Sequence, residues 1–140
     1  MSEERQRGVD LFNEVWRLMK SREDDHRMLH AAHASRYHWG EAEECAPKNL
    51  ARGEWQISRI YTVLGRAEPA TWHARRCLEH CEENGIGDWD LAYAFEALAR
   101  ALAVAGDEQA AGWKALARIA GDTIADPEDR ERFDEDYATL

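Results

Sequence analysis

The sequence predicts an all-α protein made of three stacked helical hairpins and a C-terminal capping helix. Three observations lead to this fold class. Apolar residues recur at intervals of three and four along most of the chain, as on one face of a helix. No segment alternates apolar and polar residues as a half-buried strand would. One helix–turn–helix pattern also occurs twice, with its turn glycines at Gly65 and Gly106, 41 residues apart.

The segment between Asn49 and Cys81 shows the helical pattern most clearly. Apolar residues of its first helix form one stripe: Leu50, Ile57, Ile60, Tyr61 and Leu64. A turn at Gly65 follows, and Pro69 suits the first turn of the next helix, where its missing N–H breaks no hydrogen bond. The second helix carries a stripe of mostly small side chains: Ala70, Ala74, Cys77, Leu78 and Cys81. Small side chains at these positions predict closely packed helices.

The repeat covers both helices of this hairpin. Equivalent pairs 41 residues apart are Ile57 and Leu98, Tyr61 and Leu102, Ala70 and Ala111, Trp72 and Trp113, and Ala74 and Ala115. One spacing shared by two helices and a turn indicates a helical repeat. The pattern resembles the tetratricopeptide repeat, although its period exceeds that family's usual ~34 residues and the family's terminal proline is absent. The strings HAAHASRYHWG and NLARGEWQISRIY are similar to small bacterial proteins of this repeat type. The resemblance implies a right-handed helical array in a bacterial, cytoplasmic protein.

The helix boundaries predict a single domain over residues 1–140. Its hairpins span about residues 3–39, 49–84 and 88–125, and its capping helix spans 127–139. Ser21 is the predicted N-cap of the second helix, Gly40 its end, and Asn49 the N-cap of the third helix. Asp126-Pro127 opens the capping helix.

Composition excludes several classes of function. The net charge of −10 is unsuited to a nucleic-acid binder, which needs a basic face. No apolar run approaches the length of a membrane helix, and no apolar segment follows the charged N-terminus as in a secretory signal. Three cysteines, an odd number, favour reduced thiols in the cytoplasm. Eight acids and two arginines between Asp122 and Asp136 predict a solvated cap that keeps the array soluble.

Two histidine stripes form the first candidate site. The second and fourth helices place imidazoles and a thiol on narrow arcs: His26, His30 and His33, and His73, Cys77 and His80. If these helices are neighbours, such ligands suit Zn or another divalent transition metal, in a metal-binding protein or a metal-dependent enzyme. The alternatives are packing of hydrogen-bonded histidines, or proton transfer by one of them.

The second candidate site lies on the first helices of the later hairpins. In the tetratricopeptide family this flank lines a concave groove, so the resemblance predicts that six side chains share it: Arg52, Trp55, Arg59, Tyr93, Glu96 and Arg100. Arginines bind carboxylates in a bidentate manner and aromatic rings are rigid anchors. The groove would bind a protein or peptide segment, either acidic or ending in a C-terminal carboxylate. The alternative is internal pairing, in which Glu54 and Glu96 neutralise the arginines.

The leading interpretation is therefore a non-catalytic binding module, because no carboxylate pair, phosphate loop or serine nucleophile motif is evident. A metal site between the second and fourth helices is the alternative. A homodimeric scaffold joined through the wide apolar face of the first hairpin, including Trp16, is a third hypothesis.

Overall fold

A computed structural model describes all 140 residues and contains seven α-helices and no strand. The helices are α1 (Glu3–Ser21), α2 (Asp25–Glu41), α3 (Pro47–Val63), α4 (Ala67–Glu83), α5 (Asp88–Val104), α6 (Ala110–Gly121) and α7 (Pro127–Tyr137). The predicted all-α class is confirmed. None of the seven helices combines the length and the apolar composition that a membrane span requires.

The first six helices pack as consecutive pairs: α1 with α2, α3 with α4, and α5 with α6. Between the pairs, α2 packs on α3, α4 on α5, and α3 on α5. The α1 and α3 helices are also in contact, because the Gln56 side chain of α3 donates from Nε2 to the backbone carbonyl oxygen of Phe12 in α1 at 3.0 Å. We call the face formed by α1, α3 and α5 the inner face.

The turns inside the second and third hairpins have the same geometry. Gly65 and Gly106 have φ values of 74° and 69°, in the left-handed region that glycine adopts without strain. After each glycine a backbone N–H closes the helix end, from Arg66 to the Tyr61 carbonyl at 2.8 Å and from Asp107 to the Leu102 carbonyl at 2.9 Å. The two turns predicted from the repeat are thus formed by the same backbone hydrogen bonds.

The core is divided between the hairpins. Large apolar side chains fill the space between the first and second hairpins: Val15, Leu18, Met28, Ile57 and Ile60. Small side chains dominate between the second and third: Ala51, Ala74, Cys77, Cys81, Ala94 and Ala97, with Leu78 and Leu98. The predicted small-residue stripe on α4 therefore does pack closely against its neighbours, at the α3–α4–α5 junction.

Two predicted helix caps are wrong. Asp24 rather than Ser21 caps α2, because its carboxylate accepts from the Arg27 N–H at 2.9 Å. Asn49 lies inside α3, where its side-chain oxygen accepts from the Ala46 N–H at 2.9 Å. The α2 helix also continues past Gly40 to Glu41.

The position of α7 differs most from its prediction as a solvated cap. Its aromatic side chain Phe133 is fully buried against Tyr93 of α5 and Ala117 of α6. Two polar contacts reinforce this docking: the Tyr93 hydroxyl donates to Asp136 Oδ2 at 2.6 Å, and Arg100 Nη2 donates to the Asp136 carbonyl oxygen at 3.0 Å. The acidic helix consequently covers part of the inner face.

Candidate functional site

A cavity of about 560 Å³ lies on the inner face between α1, α3, α5 and α7. Its lining residues are Phe12, Trp16, Met19, Ala51, Arg52, Trp55, Arg59, Cys77, Trp89, Asp90, Tyr93, Asp129, Arg132 and Asp136. This volume falls in the range of small-ligand sites, which are mostly apolar with a few placed polar groups.

Aromatic rings form a continuous wall from α1 to α7. The Trp55 ring is at the centre, with ring centroids 5.5 Å from Trp16 and 5.4 Å from Tyr93. Tyr93 in turn meets Trp89 at 6.3 Å and Phe133 at 5.2 Å, both edge to face. Such edge-to-face pairs hold one another in place. The wall is therefore a rigid apolar surface that a ligand can contact.

Arg52 is neutralised within the protein. Its Nε and Nη2 donate to the two carboxylate oxygens of Asp90 at 3.0 and 3.1 Å, a bidentate ion pair. Its guanidinium also stacks 4.3 Å from the centroid of Trp89, a favourable cation–π position. Arg52 thus shapes one wall of the cavity and has little capacity left for a ligand.

Arg59 and Arg100 share one buried carboxylate. Glu96 is fully buried, and its Oε1 accepts from Arg100 Nε at 2.6 Å and from Arg59 Nη1 at 3.4 Å, while Oε2 has no partner. Burial raises the pKa of Glu96 despite the opposing charges of Arg100 and Arg59. Arg100 Nη2 also donates to the Asp136 carbonyl oxygen of α7 at 3.0 Å and to Thr139 Oγ1, just after α7, at 2.8 Å, so the C-terminal segment holds it.

Arg59 is the least satisfied of the three arginines. Its single hydrogen bond within the protein is the long contact from Nη1 to Glu96, so Nε and Nη2 find no acceptor. Burial lowers the pKa of Arg59, and the nearby positive charge of Arg100 lowers it further. An anion in the cavity would relieve both effects.

Four of the six residues predicted for the groove line this one cavity: Arg52, Trp55, Arg59 and Tyr93. Glu96 and Arg100 lie behind it, beside α7. The predicted internal pairing is therefore present beside the cavity. Glu96 forms ion pairs with Arg59 and Arg100, and Asp90 forms one with Arg52. Glu54 does not take part, since it pairs with Arg36 instead.

Several lining residues were not predicted. Phe12 and Trp16 lie on the wide apolar face of α1, and their position there could have predicted that they line an apolar site. Trp16 contacts Trp55, so changing it to test the dimer hypothesis would also disturb the cavity. The position of Arg132 and its neighbours on α7 could not be predicted, because the sequence of this segment is typical of a solvated acidic helix.

The structure brings together two of the six predicted metal ligands. His33 of α2 and His73 of α4 have ring centroids 5.4 Å apart, whereas His30 and His26 lie about one and two turns nearer the start of α2. The α2 and α4 backbones do not pack side by side, because α2 packs on α3. No group of three or more His, Cys, Asp or Glu side chains is arranged to hold a metal ion.

The remaining two residues of that set have other environments. Cys77 is buried beside Cys81, and both thiols are free. A hydrogen bond with Cys81, and then burial, raises the pKa of Cys77, so it remains a neutral thiol at the cavity floor. His80 is buried near Arg76, with 3.4 Å between its Nε2 and Arg76 Nη2.

His73 belongs to a polar cluster between α2, α3 and α4. Its Nδ1 lies 2.6 Å from Oε2 of the buried Glu54, whose Oε1 accepts from Arg36 Nε at 3.2 Å. Burial acts to raise the pKa of Glu54, but the His73 hydrogen bond and the charges of His73 and Arg36 bring it below its ordinary value. His33 Nε2 is 3.0 Å from the Tyr61 hydroxyl at the edge of this cluster.

This cluster is expected to make the stability of the fold depend on pH. Partial burial of the ring, and then the charge of His73, lowers the pKa of His33 below its ordinary value of 6.5. The unfolded chain therefore binds more protons than the folded one as the pH falls through 6.5, and stability is lost in that direction. We expect His33→Asn to flatten the dependence of the free energy of unfolding on pH between about 5.5 and 7.5. Urea denaturation at several pH values measures it.

His26→Asn is the matched control, because His26 lies on the same helix but makes neither of the contacts of His33 with Tyr61 and His73. Its slope should equal that of the unmodified protein. The pKa of His80 is also lowered, mainly by burial. The free energy of unfolding of His33→Asn should therefore still depend on pH, but less steeply. Equal slopes for both variants would contradict the role of His33.

Comparison with known proteins assigns no family. No protein-family model matches the chain, and neither a curated protein nor a solved structure matches it significantly. The functional argument therefore depends on the geometry of the cavity.

Proposed function

We propose that this protein is a non-catalytic binding module, built as a tetratricopeptide-like array, in which a segment of a protein partner inserts into the inner-face cavity. The observation that carries the proposal is the combination of an aromatic wall with Arg59, whose guanidinium has donors without acceptors. The tetratricopeptide-like arrangement is supported by the repeated turn geometry at Gly65 and Gly106 and by the packing of α3 beside α5.

The chemistry of the cavity favours binding over catalysis. Asp90 is committed to Arg52, and Asp136 accepts the Tyr93 hydroxyl. Burial, and then the bond to Asp136, raises the pKa of Tyr93, while Cys77 is held as a neutral thiol. None of these groups is activated as a nucleophile or as a general base near neutral pH. Rigid rings and a partly free arginine are instead typical of recognition surfaces.

A partner segment that is acidic, or that ends in a carboxylate, fits this site. A carboxylate can accept two parallel hydrogen bonds from one guanidinium, and this geometry requires free donors such as those of Arg59. An apolar side chain of the same segment would contact Trp16, Trp55 and Tyr93.

Arg59→Gln should weaken partner binding by about tenfold or more, because it removes a charged hydrogen-bond donor from a partly buried site. A photoreactive amino acid at Met19, which lines the cavity, would cross-link the bound partner in an extract of the source cell. The cross-linked partner, identified by mass spectrometry, can then be purified and titrated against the variants.

Arg75→Gln is the matched control, since Arg75 is an exposed arginine on α4 outside the cavity. It should bind the partner as the unmodified protein does, and both variants should keep their melting temperatures within a few degrees. A cross-linked partner whose affinity is the same for Arg59→Gln and Arg75→Gln would overturn the assignment of the cavity as the binding site.

A further inference from the structure

We propose that the group received by the cavity is an aromatic ring that carries a carboxylate on a short linker, with Arg59 as the residue that binds the carboxylate. This inference rests on the proposed function and specifies the ligand chemistry of the same site. It follows from three features of the cavity: which arginine is free, what surrounds it, and how the remaining charges are paired.

The position of the carboxylate follows from the pairing of the arginines. Arg52 already makes a bidentate pair with Asp90, and Arg100 is held by Glu96, Thr139 and the backbone of α7. Arg59 has one contact at 3.4 Å and lines the cavity with a side chain that is 22 % exposed. A ligand carboxylate would therefore find two unused donors, Nε and Nη2, on this half-buried guanidinium. Arg132 also lines the cavity without an ion pair, but its side chain is exposed, and solvent screens its charge more strongly than that of Arg59.

The charge around Arg59 favours an anionic ligand. Its neighbour Arg100 is a second cation, and the two share Glu96 Oε1. The other carboxylate that acts on Arg59 is Asp136, which accepts the Tyr93 hydroxyl and makes no hydrogen bond to Arg59. Glu96 Oε2 has no hydrogen-bond partner, so in this geometry the Glu96 carboxylate gives Arg59 only the long contact to Oε1 at 3.4 Å. A carboxylate from the ligand would supply that missing acceptor.

The aromatic part of the ligand follows from the wall beside Arg59. Trp16, Trp55 and Tyr93 are arranged with centroids 5.4 to 5.5 Å apart, and Phe12 extends the row at 5.7 Å from Trp16. A further ring inserted along this row gains edge-to-face or offset contacts that an aliphatic group cannot make. A volume of about 560 Å³ accommodates one such ring with its linker.

Two sources can supply this chemistry: a free aromatic organic acid, or a peptide whose last residue is aromatic. Asp129 and Arg132 of α7 line the same cavity and form no ion pair with each other. The Asp129 carboxylate and the Arg132 guanidinium are therefore free to hydrogen-bond with the backbone of a peptide or with a substituent of a free acid. The shared element is the ring with its carboxylate, and the experiment separates the sources.

The test compares matched acids and amides by calorimetric titration of the full-length protein. The probes are indole-3-propionate and its uncharged amide. We expect the acid to bind about tenfold more tightly than the amide, because an ionic hydrogen-bonded contact is lost in the amide. In Arg59→Gln the two should bind about equally, whereas Arg75→Gln should keep the preference. Trp55→Ala should weaken both probes and leave their ratio unchanged.

A second pair of probes distinguishes the sources: a hexapeptide ending in Trp with a free C-terminus, and the same peptide with an amidated C-terminus. Tighter binding of the free-acid peptide than of indole-3-propionate indicates a protein C-terminus. The reverse order indicates a free organic acid, which would keep the ligand chemistry but overturn the protein segment of the proposed function. Equal affinities of acid and amide in the unmodified protein, or a preference that survives Arg59→Gln, would overturn the inference. If no probe binds but the cross-linked partner still requires Arg59, the proposed function stands and this ligand chemistry is wrong.

Discussion

Glu96→Ala is expected to lower the free energy of unfolding by about 3–5 kcal/mol, the loss typical when one partner of a buried ion pair is removed. Glu96 is fully buried, and it is the carboxylate that neutralises both Arg59 and Arg100. Without it, two partly buried guanidiniums repel each other. Urea denaturation followed by circular dichroism measures the change, and the melting temperature should fall by roughly 10 °C or more.

Two controls separate charge from packing. Glu96→Gln keeps the side-chain volume and one acceptor oxygen, so its loss should be smaller than that of Glu96→Ala. Glu79→Ala removes an exposed carboxylate that pairs with Arg76 at the surface, and such pairs contribute at most about 1 kcal/mol. If Glu96→Ala cost no more than Glu79→Ala, the buried triad would not be a stabilising element.

Phe133→Ala is expected to have a comparable effect, and to release α7. Truncating a fully buried phenylalanine typically costs about 3–5 kcal/mol. Since α7 has 11 residues, it is too short to remain helical once undocked. The loss should therefore appear as local unfolding, with fast amide hydrogen exchange over residues 127–137 and slower exchange retained in α3 and α5.

Gly121→Ala provides an independent route to the same state, because a Cβ at Gly121 would overlap the Phe133 ring. Ile119→Ala is the matched control. Ile119 lies on α6 near Gly121 and is 66 % exposed, so this change should alter the free energy of unfolding by less than about 0.5 kcal/mol. Retained protection of α7 in both Phe133→Ala and Gly121→Ala would show that polar contacts such as Tyr93–Asp136 hold the helix without its aromatic anchor.

The release of α7 also bears on the cavity. Asp129, Arg132 and Asp136 would leave the lining, and Tyr93 would lose its acceptor. Arg100 would keep Glu96 but lose its contacts with Asp136 of α7 and with Thr139, which follows α7. The site described above is therefore a property of the docked helix as much as of the hairpins.

The sequence by itself determined the hairpins and the side chains that share a flank. Apolar spacing of three and four residues identifies a helix face locally, and a glycine that follows the last apolar position of a stripe can end the helix in a left-handed conformation, as Gly65 and Gly106 do. The same spacing placed Arg52, Trp55 and Arg59 on one side of α3, and the resemblance to the tetratricopeptide repeat added the prediction that this side faces a groove; all three line the cavity.

Only the tertiary structure decided how those side chains are used. The pairing of Arg52 with Asp90, of Arg59 with Glu96, and of Tyr93 with Asp136 joins residues 37 to 43 positions apart. The approach of His33 to His73, and the docking of α7 through Phe133, are equally non-local. The spacing of apolar residues identifies the apolar face of a helix. It does not identify the partners of the charged side chains on the other face. Those partners are set by how the helices pack, and this packing leaves Arg59 with unused donors beside an aromatic wall.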